Sequence, residues 1–109
     1  MFKPGDVVIA DFPGVQATAR RPALVISTDL YQSVRPDVIL AILTRQIAKA
    51  TSPTDYILQD WQAARLRYPT AFRSYLTTAL QTKPILLGHL SDRDWAEVQA
   101  RLRLALAVT

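Results

Sequence analysis

The sequence predicts a mainly β fold: a small antiparallel barrel of about six strands closed by one C-terminal helix, an α+β arrangement. Three observations carry this. Short β-branched and apolar runs repeat through the first 87 residues, separated by Pro, Gly and polar turns. A helical spacing of apolar residues occurs once, after Ser91. The chain has 109 residues, half of them apolar and 20% charged, which suits a single domain spanning 1–109 with a core of its own.

The elements follow in order. Residues 6–12 are rich in Val, Ile and Phe and read as a strand that Pro13-Gly14 stops. Residues 15–21 read as a loop ending in Arg20-Arg21, and residues 22–28 as a buried strand. Residues 29–35 form a connection with room for one helical turn. Residues 37–44 are the most apolar strand, with an unbroken run from Val38 to Leu43. Residues 46–53 are polar and read as a mobile loop. Residues 54–58 form a short strand ending at Asp60-Trp61, and residues 71–78 and 84–87 complete the set. Ser91 has the character of a helix N-cap, with Asp92 and Asp94 in the first turn. Trp95, Val98, Leu102 and Leu106 then share one helical face. Glu97 and Arg101 are spaced to pair on the outer face, and Leu104 points away from the stripe.

Composition removes whole classes of chemistry. There is no cysteine, so disulfides, thiolate zinc sites, iron–sulfur clusters and a cysteine nucleophile are excluded. His89 is the one histidine and Glu97 the one glutamate. No close carboxylate pair suggests a two-metal nuclease or a glycosidase. Three glycines supply no phosphate-binding loop, and no Gly-x-Ser-x-Gly elbow is present. No metal or cofactor is called for. The longest apolar run is six residues against the roughly 20 of a membrane span, and the first residues lack the apolar core of a signal peptide. The expected location is the cytoplasm.

The charge is more informative. Thirteen Lys and Arg face nine acids, a net charge of +4, and ten of the thirteen are arginine. Residues 1–90 carry ten basic and six acidic side chains, whereas residues 91–109 carry three of each. The excess therefore belongs to the sheet and attracts polyanions there. Two positions stand out within it. Arg20-Arg21 precedes a strand whose next step is fixed by Pro22, and a guanidinium held there can clamp a phosphate through two parallel hydrogen bonds. Thr44 ends the most apolar strand and is followed by Arg45-Gln46.

The block Gly5-Asp6-Val7-Val8-Ile9-Ala10-Asp11-Phe12, the short loop and Arg21-Pro22-Ala23-Leu24-Val25-Ile26-Ser27 resemble the start of the PemK/MazF/Kid toxins of bacterial type II toxin–antitoxin systems. The third strand with Thr44 looks like that family's strand ending in a catalytic threonine. Asp60-Trp61-Gln62-Ala63-Ala64, Pro69-Thr70 and Gly88-His89-Leu90-Ser91 resemble its later blocks, so the likeness spans nearly the whole chain. The resemblance implies a barrel like an SH3 fold, a homodimer, and metal-independent cleavage of single-stranded RNA at short motifs. In that chemistry the RNA 2′-hydroxyl attacks the adjacent phosphate and leaves a 2′,3′-cyclic phosphate and a 5′-hydroxyl. Arg21 matches the catalytic arginine and Thr44 the catalytic threonine. Arg21 is open to three roles, acid, base or electrostatic clamp; because a guanidinium holds its charge, clamp and acid are favoured.

Gln16, Arg20, Arg45, Gln46, Arg65, Arg67 and Arg73 are the candidate RNA contacts. Ala64-Arg65-Leu66 stands where relatives often have Ala-Gly-Leu, and Tyr75 stands where some have an acid two residues after an arginine matching Arg73. His89 is assigned a structural or surface role, and Trp61 and Trp95 a place in the core or a dimer. Tyr31, Tyr68 and Phe12 are weaker stacking candidates. The implied partner is a small, acidic, partly disordered antitoxin that occupies the same groove. The competing reading is a non-catalytic member of the same fold that binds a topoisomerase, as gyrase inhibitors do, or only its antitoxin or nucleic acid. The presence of Arg21 and Thr44 argues for the enzyme.

Overall fold

The most apolar stretch of the sequence sits at the middle of the sheet. In the computed structural model, which describes residues 2–13 and 18–108, six antiparallel strands run in the spatial order β4-β5-β3-β2-β1-β6. They are β1 (Asp6–Pro13), β2 (Thr18–Val25), β3 (Asp37–Thr44), β4 (Tyr56–Ile57), β5 (Ala71–Leu80) and β6 (Ile85–His89). Helix α1 (Asp29–Val34) links β2 to β3, a 3-10 turn covers Ile47–Lys49, and α2 (Asp92–Ala105) closes the chain.

β3 is continuously apolar because both of its faces are covered. Ala41 and Leu43 face one cluster with Val7, Leu24, Phe72 and Val98 of α2; Val38, Leu40 and Ile42 face another with Val8, Ala10, Phe12 and Val25. The sheet makes the second cluster by wrapping onto itself. β1 and β5 are separated by two strands in the order, yet the rings of Phe12 and Tyr75 meet edge to face at 5.2 Å. The result is a curled half-barrel with α2 packed across one side. Full burial of a side chain such as Phe72 contributes about 3 kcal/mol.

α2 starts as the sequence indicates: the Ser91 hydroxyl accepts the backbone N–H of Asp94 at 3.3 Å. Val98 is buried, and Trp95, Leu102 and Trp61 pack against the same cluster. Asp94 lies in the first turn, as expected, and does more there than complement the helix dipole. It is completely buried, and its carboxylate accepts the Tyr56 hydroxyl (2.7 Å) and the backbone N–H groups of Gln59 (3.0 Å) and Asp60 (2.8 Å). These bonds staple the helix start to the segment after β4. Glu97 and Arg101 pair at 2.7 Å, Leu104 is exposed, and Leu106 caps the helix end instead of extending its stripe.

Other stretches also differ from the sequence expectation. The stretch expected as a loop through Arg21 is already strand from Thr18, because β1 offers a partner for each residue as far as Pro13↔Thr18. The following strand ends at Val25, although the Ile26 N–H still reaches the Ile39 carbonyl at 3.0 Å. Thr28 frees the chain for α1 by accepting the Tyr31 N–H as an N-cap. Within residues 46–53, expected as a mobile loop, Ile47–Lys49 form the 3-10 turn.

Candidate functional site

The antiparallel pairing of β2 with β3 runs Val25↔Leu40, Leu24↔Ala41, Ala23↔Ile42. Arg21 and Thr44 each lie two residues beyond the last of these pairs. Both line one cleft of about 630 Å³, Arg21 from the middle of β2 and Thr44 from the end of β3. The register between β3 and β5 shifts between Ala41 and Leu43, just before Thr44, an irregularity of the kind that re-aims a strand end. The Thr44 hydroxyl oxygen accepts the backbone N–H of Gln46 at 3.1 Å. The oxygen is thereby fixed, and its proton is left to donate to a ligand.

The third wall comes from the segment between β4 and β5. Its turn is built as a helix C-terminus: the Leu66 N–H reaches the Trp61 carbonyl at 3.1 Å and the Arg65 N–H reaches that of Gln62 at 3.0 Å. This is the Schellman pattern, whose pivotal residue is left-handed and usually glycine. Here that residue is Arg65, with φ of 66°. Gly88 of β6 lies directly beneath; a side chain there would strike the Ala64 carbonyl. The turn therefore sits hard against β6 and directs Arg65, Arg67 and Tyr68 to the cleft.

The electrostatics of the cleft are one-sided. Arg20, Arg21, Arg45, Arg65 and Arg67 line it, and no acidic side chain does among the described residues. Arg20 has an exposed partner in Asp11 at 3.5 Å, an ion pair worth little. Arg21, Arg45, Arg65 and Arg67 have no carboxylate partner among the described residues. The arginines at 35, 73, 93 and 101 are each paired with Asp37, Asp55, Asp60 and Glu97. Four of the five arginines outside the cleft are thus paired with acids, Arg103 being the exception, whereas four of the five inside it have no carboxylate partner among the described residues. Arg45 lies over the ring of Tyr68 at 4.6 Å. Ile9, Leu43, Leu66 and Leu87 supply an apolar lining.

Of the residues expected to act together, Arg20, Arg21, Thr44, Arg45, Gln46, Arg65 and Arg67 converge on this cleft. Gln16 lies outside the described residues. Arg73 is not brought in: the irregular stretch of β5 turns it to the buried Asp55 at 3.4 Å. Tyr75 likewise packs on Phe12 and donates its hydroxyl to the Pro13 carbonyl at 3.1 Å. His89 pairs with Asp6 at 2.8 Å on the β1–β6 side and does not line the cleft. Sequence reasoning ranked Tyr68 low and did not pick Thr70; the only local signal was the run Arg67-Tyr68-Pro69-Thr70 beside a strand start.

The perturbed titrating groups lie elsewhere and are structural. The Arg93 guanidinium and the Ser91 hydroxyl hold the Asp60 carboxyl down at about 2. Burial, then the hydrogen bond to Asp94, pushes the Tyr56 hydroxyl well above the usual phenol range. The Tyr31 hydroxyl and the Arg35 guanidinium lower Asp37. Among the described residues no group of three or more His, Cys, Asp or Glu side chains is placed to hold a metal, and no helix is long and apolar enough to cross a membrane.

Comparison with known proteins points to one family. The model of the PemK-like, MazF-like toxins of type II toxin–antitoxin systems matches residues 3–106. Endoribonuclease EndoA of Bacillus subtilis is 30% identical over 112 residues, covering 99% of this chain and 97% of that protein. A mycobacterial endoribonuclease in complex with its cognate antitoxin superposes with a TM-score of 0.78 at 17% identity, covering 100% of this chain and 98% of the other. A MazE–MazF complex from Deinococcus radiodurans gives 0.76 at 21% identity, covering 99% and 98%. At those identities the two structures speak to the fold.

Proposed function

The chain belongs to the PemK-like, MazF-like toxins of type II toxin–antitoxin systems, and we propose that it acts as an endoribonuclease that cuts single-stranded RNA at short motifs from the Arg21–Thr44 cleft. The observation that carries this reading is the convergence on one cleft of four arginines without carboxylate partners, beside a hydroxyl that donates to no acceptor, among the described residues. RNA supplies its own nucleophile, which suits a site without cysteine, histidine or carboxylate.

The reaction then proceeds as follows. The 2′-hydroxyl gives up its proton to water as its oxygen attacks the adjacent phosphorus, the bond from phosphorus to the 5′-oxygen breaks, and the leaving 5′-oxygen takes a proton from water. The products are a 2′,3′-cyclic phosphate and a 5′-hydroxyl. Arg21 stabilises the charge that grows on the non-bridging oxygens, where a fixed cation contributes most to catalysis. Thr44 donates its hydroxyl proton to one of those oxygens. Arg20, Arg45, Arg65, Arg67 and Gln46 hold the flanking backbone. The same cationic cleft suits an acidic antitoxin segment that competes with RNA. The active form in this reading is a homodimer, for which Ile85 and Leu86 on edge strand β6 provide exposed apolar surface.

The test is incubation of the purified protein with a long single-stranded RNA in EDTA, followed by end mapping. Cleavage at defined short sites with 5′-hydroxyl ends, lost in Arg21→Ala and Thr44→Ala, supports the reading. Intact RNA, or cleavage that survives both substitutions, overturns it.

A further inference from the structure

Building on that reading, we infer that Tyr68 and Arg45 form a stacking subsite that takes one unpaired nucleobase next to the scissile phosphate. The juxtaposition is specific. Arg45 follows Thr44 directly, so its backbone is fixed by the turn in which Gln46 bonds the Thr44 hydroxyl. Tyr68 is fixed from the other side: Thr70 is buried, donates its hydroxyl to the Tyr68 carbonyl at 2.7 Å, and its own carbonyl accepts the Leu58 N–H at 3.0 Å. Thr44 pairs with Ala71 across β3 and β5, which brings the two turns together.

The Tyr68 ring is 51% exposed, although it is large, apolar over both faces and lies in an otherwise cationic cleft. Its hydroxyl makes no hydrogen bond among the described residues. The guanidinium of Arg45 covers part of the ring at 4.6 Å and has no carboxylate partner among the described residues. A planar cation on an aromatic ring is a surface on which bases stack, through the ring and through the guanidinium plane alike. A base already stacked inside a duplex cannot reach it. This gives the cleft a physical means of selecting single strands that phosphate contacts alone do not supply.

The experiment is a cycle of two changes on cleavable RNA: Tyr68→Ala in the protein, and removal of one base at a time around the cut site in the substrate. Loss of a base–aromatic stack lowers kcat/KM by roughly tenfold to a hundredfold. The expected result is that Tyr68→Ala shows this loss on intact RNA, that Tyr68→Phe and Tyr68→Trp restore most of it, and that one abasic position costs the wild type the same factor but the Ala variant nothing further. Equal losses on every abasic substrate, or an unchanged kcat/KM for Tyr68→Ala beside an active wild type, overturn the stacking subsite alone. A wild-type chain that cuts no RNA overturns the endoribonuclease reading, and the subsite with it.

Discussion

Replacing Arg65 by glycine should make the protein more stable and a poorer RNA binder at the same time. Arg65 occupies the left-handed pivot of its turn at φ of 66°. A non-glycine residue there costs about 1–2 kcal/mol. Glycine removes that strain but adds freedom to the unfolded chain, which offsets roughly 0.5–1 kcal/mol. The net gain is about 0.5–1 kcal/mol, a rise in Tm of roughly 2–5 °C for a domain of this size. Arg65→Ala is the control, because alanine loses the charge and keeps the strain. Both variants lose one cation from the cleft. Their affinity for a non-cleavable single strand should fall by roughly tenfold, and the slope of log affinity against log salt should become shallower by about 0.7. Thermal denaturation by circular dichroism and a salt series of RNA binding read the two effects separately. A glycine variant no more stable than the alanine variant refutes the strain argument. Unchanged RNA binding in both refutes the placement of Arg65 on the substrate.

Asp94→Ala leaves the Tyr56 hydroxyl and the N–H groups of Gln59 and Asp60 without their acceptor; denaturant titration should show a loss of about 3 kcal/mol or more. Arg73→Ala strands the buried Asp55 carboxylate with only the Ser52 N–H, so stability should fall by about 1–2 kcal/mol while kcat/KM for the folded protein stays unchanged. On acidification, the Asp60 carboxyl, held at about 2 when folded against an ordinary value near 4, contributes stability that is fully present above about pH 4 and is lost as pH falls toward 2. Arg93→Ala should flatten that acid limb in a series of melts between pH 5 and pH 2.

The parts of the fold legible in the sequence were those set by local pattern. Six strands and one closing helix follow from β-branched runs and a single helical period. The Ser91 cap follows from one hydroxyl placed before two acids. What the pattern could not locate were features set by distant partners. β2 begins at Thr18 because β1 pairs with it, and nothing in Thr18-Ala19-Arg20 distinguishes a loop from a strand. Asp94 reads only as a first-turn helix acid; the fold is what brings Tyr56 and the backbone of residues 59 and 60 to its carboxylate. Arg65, by contrast, was legible as an anomaly, since it stands at a position where relatives often have glycine, and the structure gives that anomaly a backbone angle.

The same distinction applies to the site. Ten arginines can be counted in the sequence, but a count does not say which charges are spent on neighbours. Arg73 and Arg67 look alike as letters; one is held by a buried aspartate across the sheet and the other faces the cleft without a carboxylate partner. A polyanion responds to the field that remains after internal pairing, so the net charge of +4 understates what it meets. Arg101, Arg93, Arg73 and Arg35 are balanced by acids within reach, and their fields largely cancel beyond a Debye length. Of the five arginines of the cleft, Arg20 alone has a carboxylate partner among the described residues, the exposed Asp11. A modest overall charge is therefore consistent with strong local attraction for RNA, because among the described residues no acid but Asp11, beside Arg20, is paired with an arginine of the cleft.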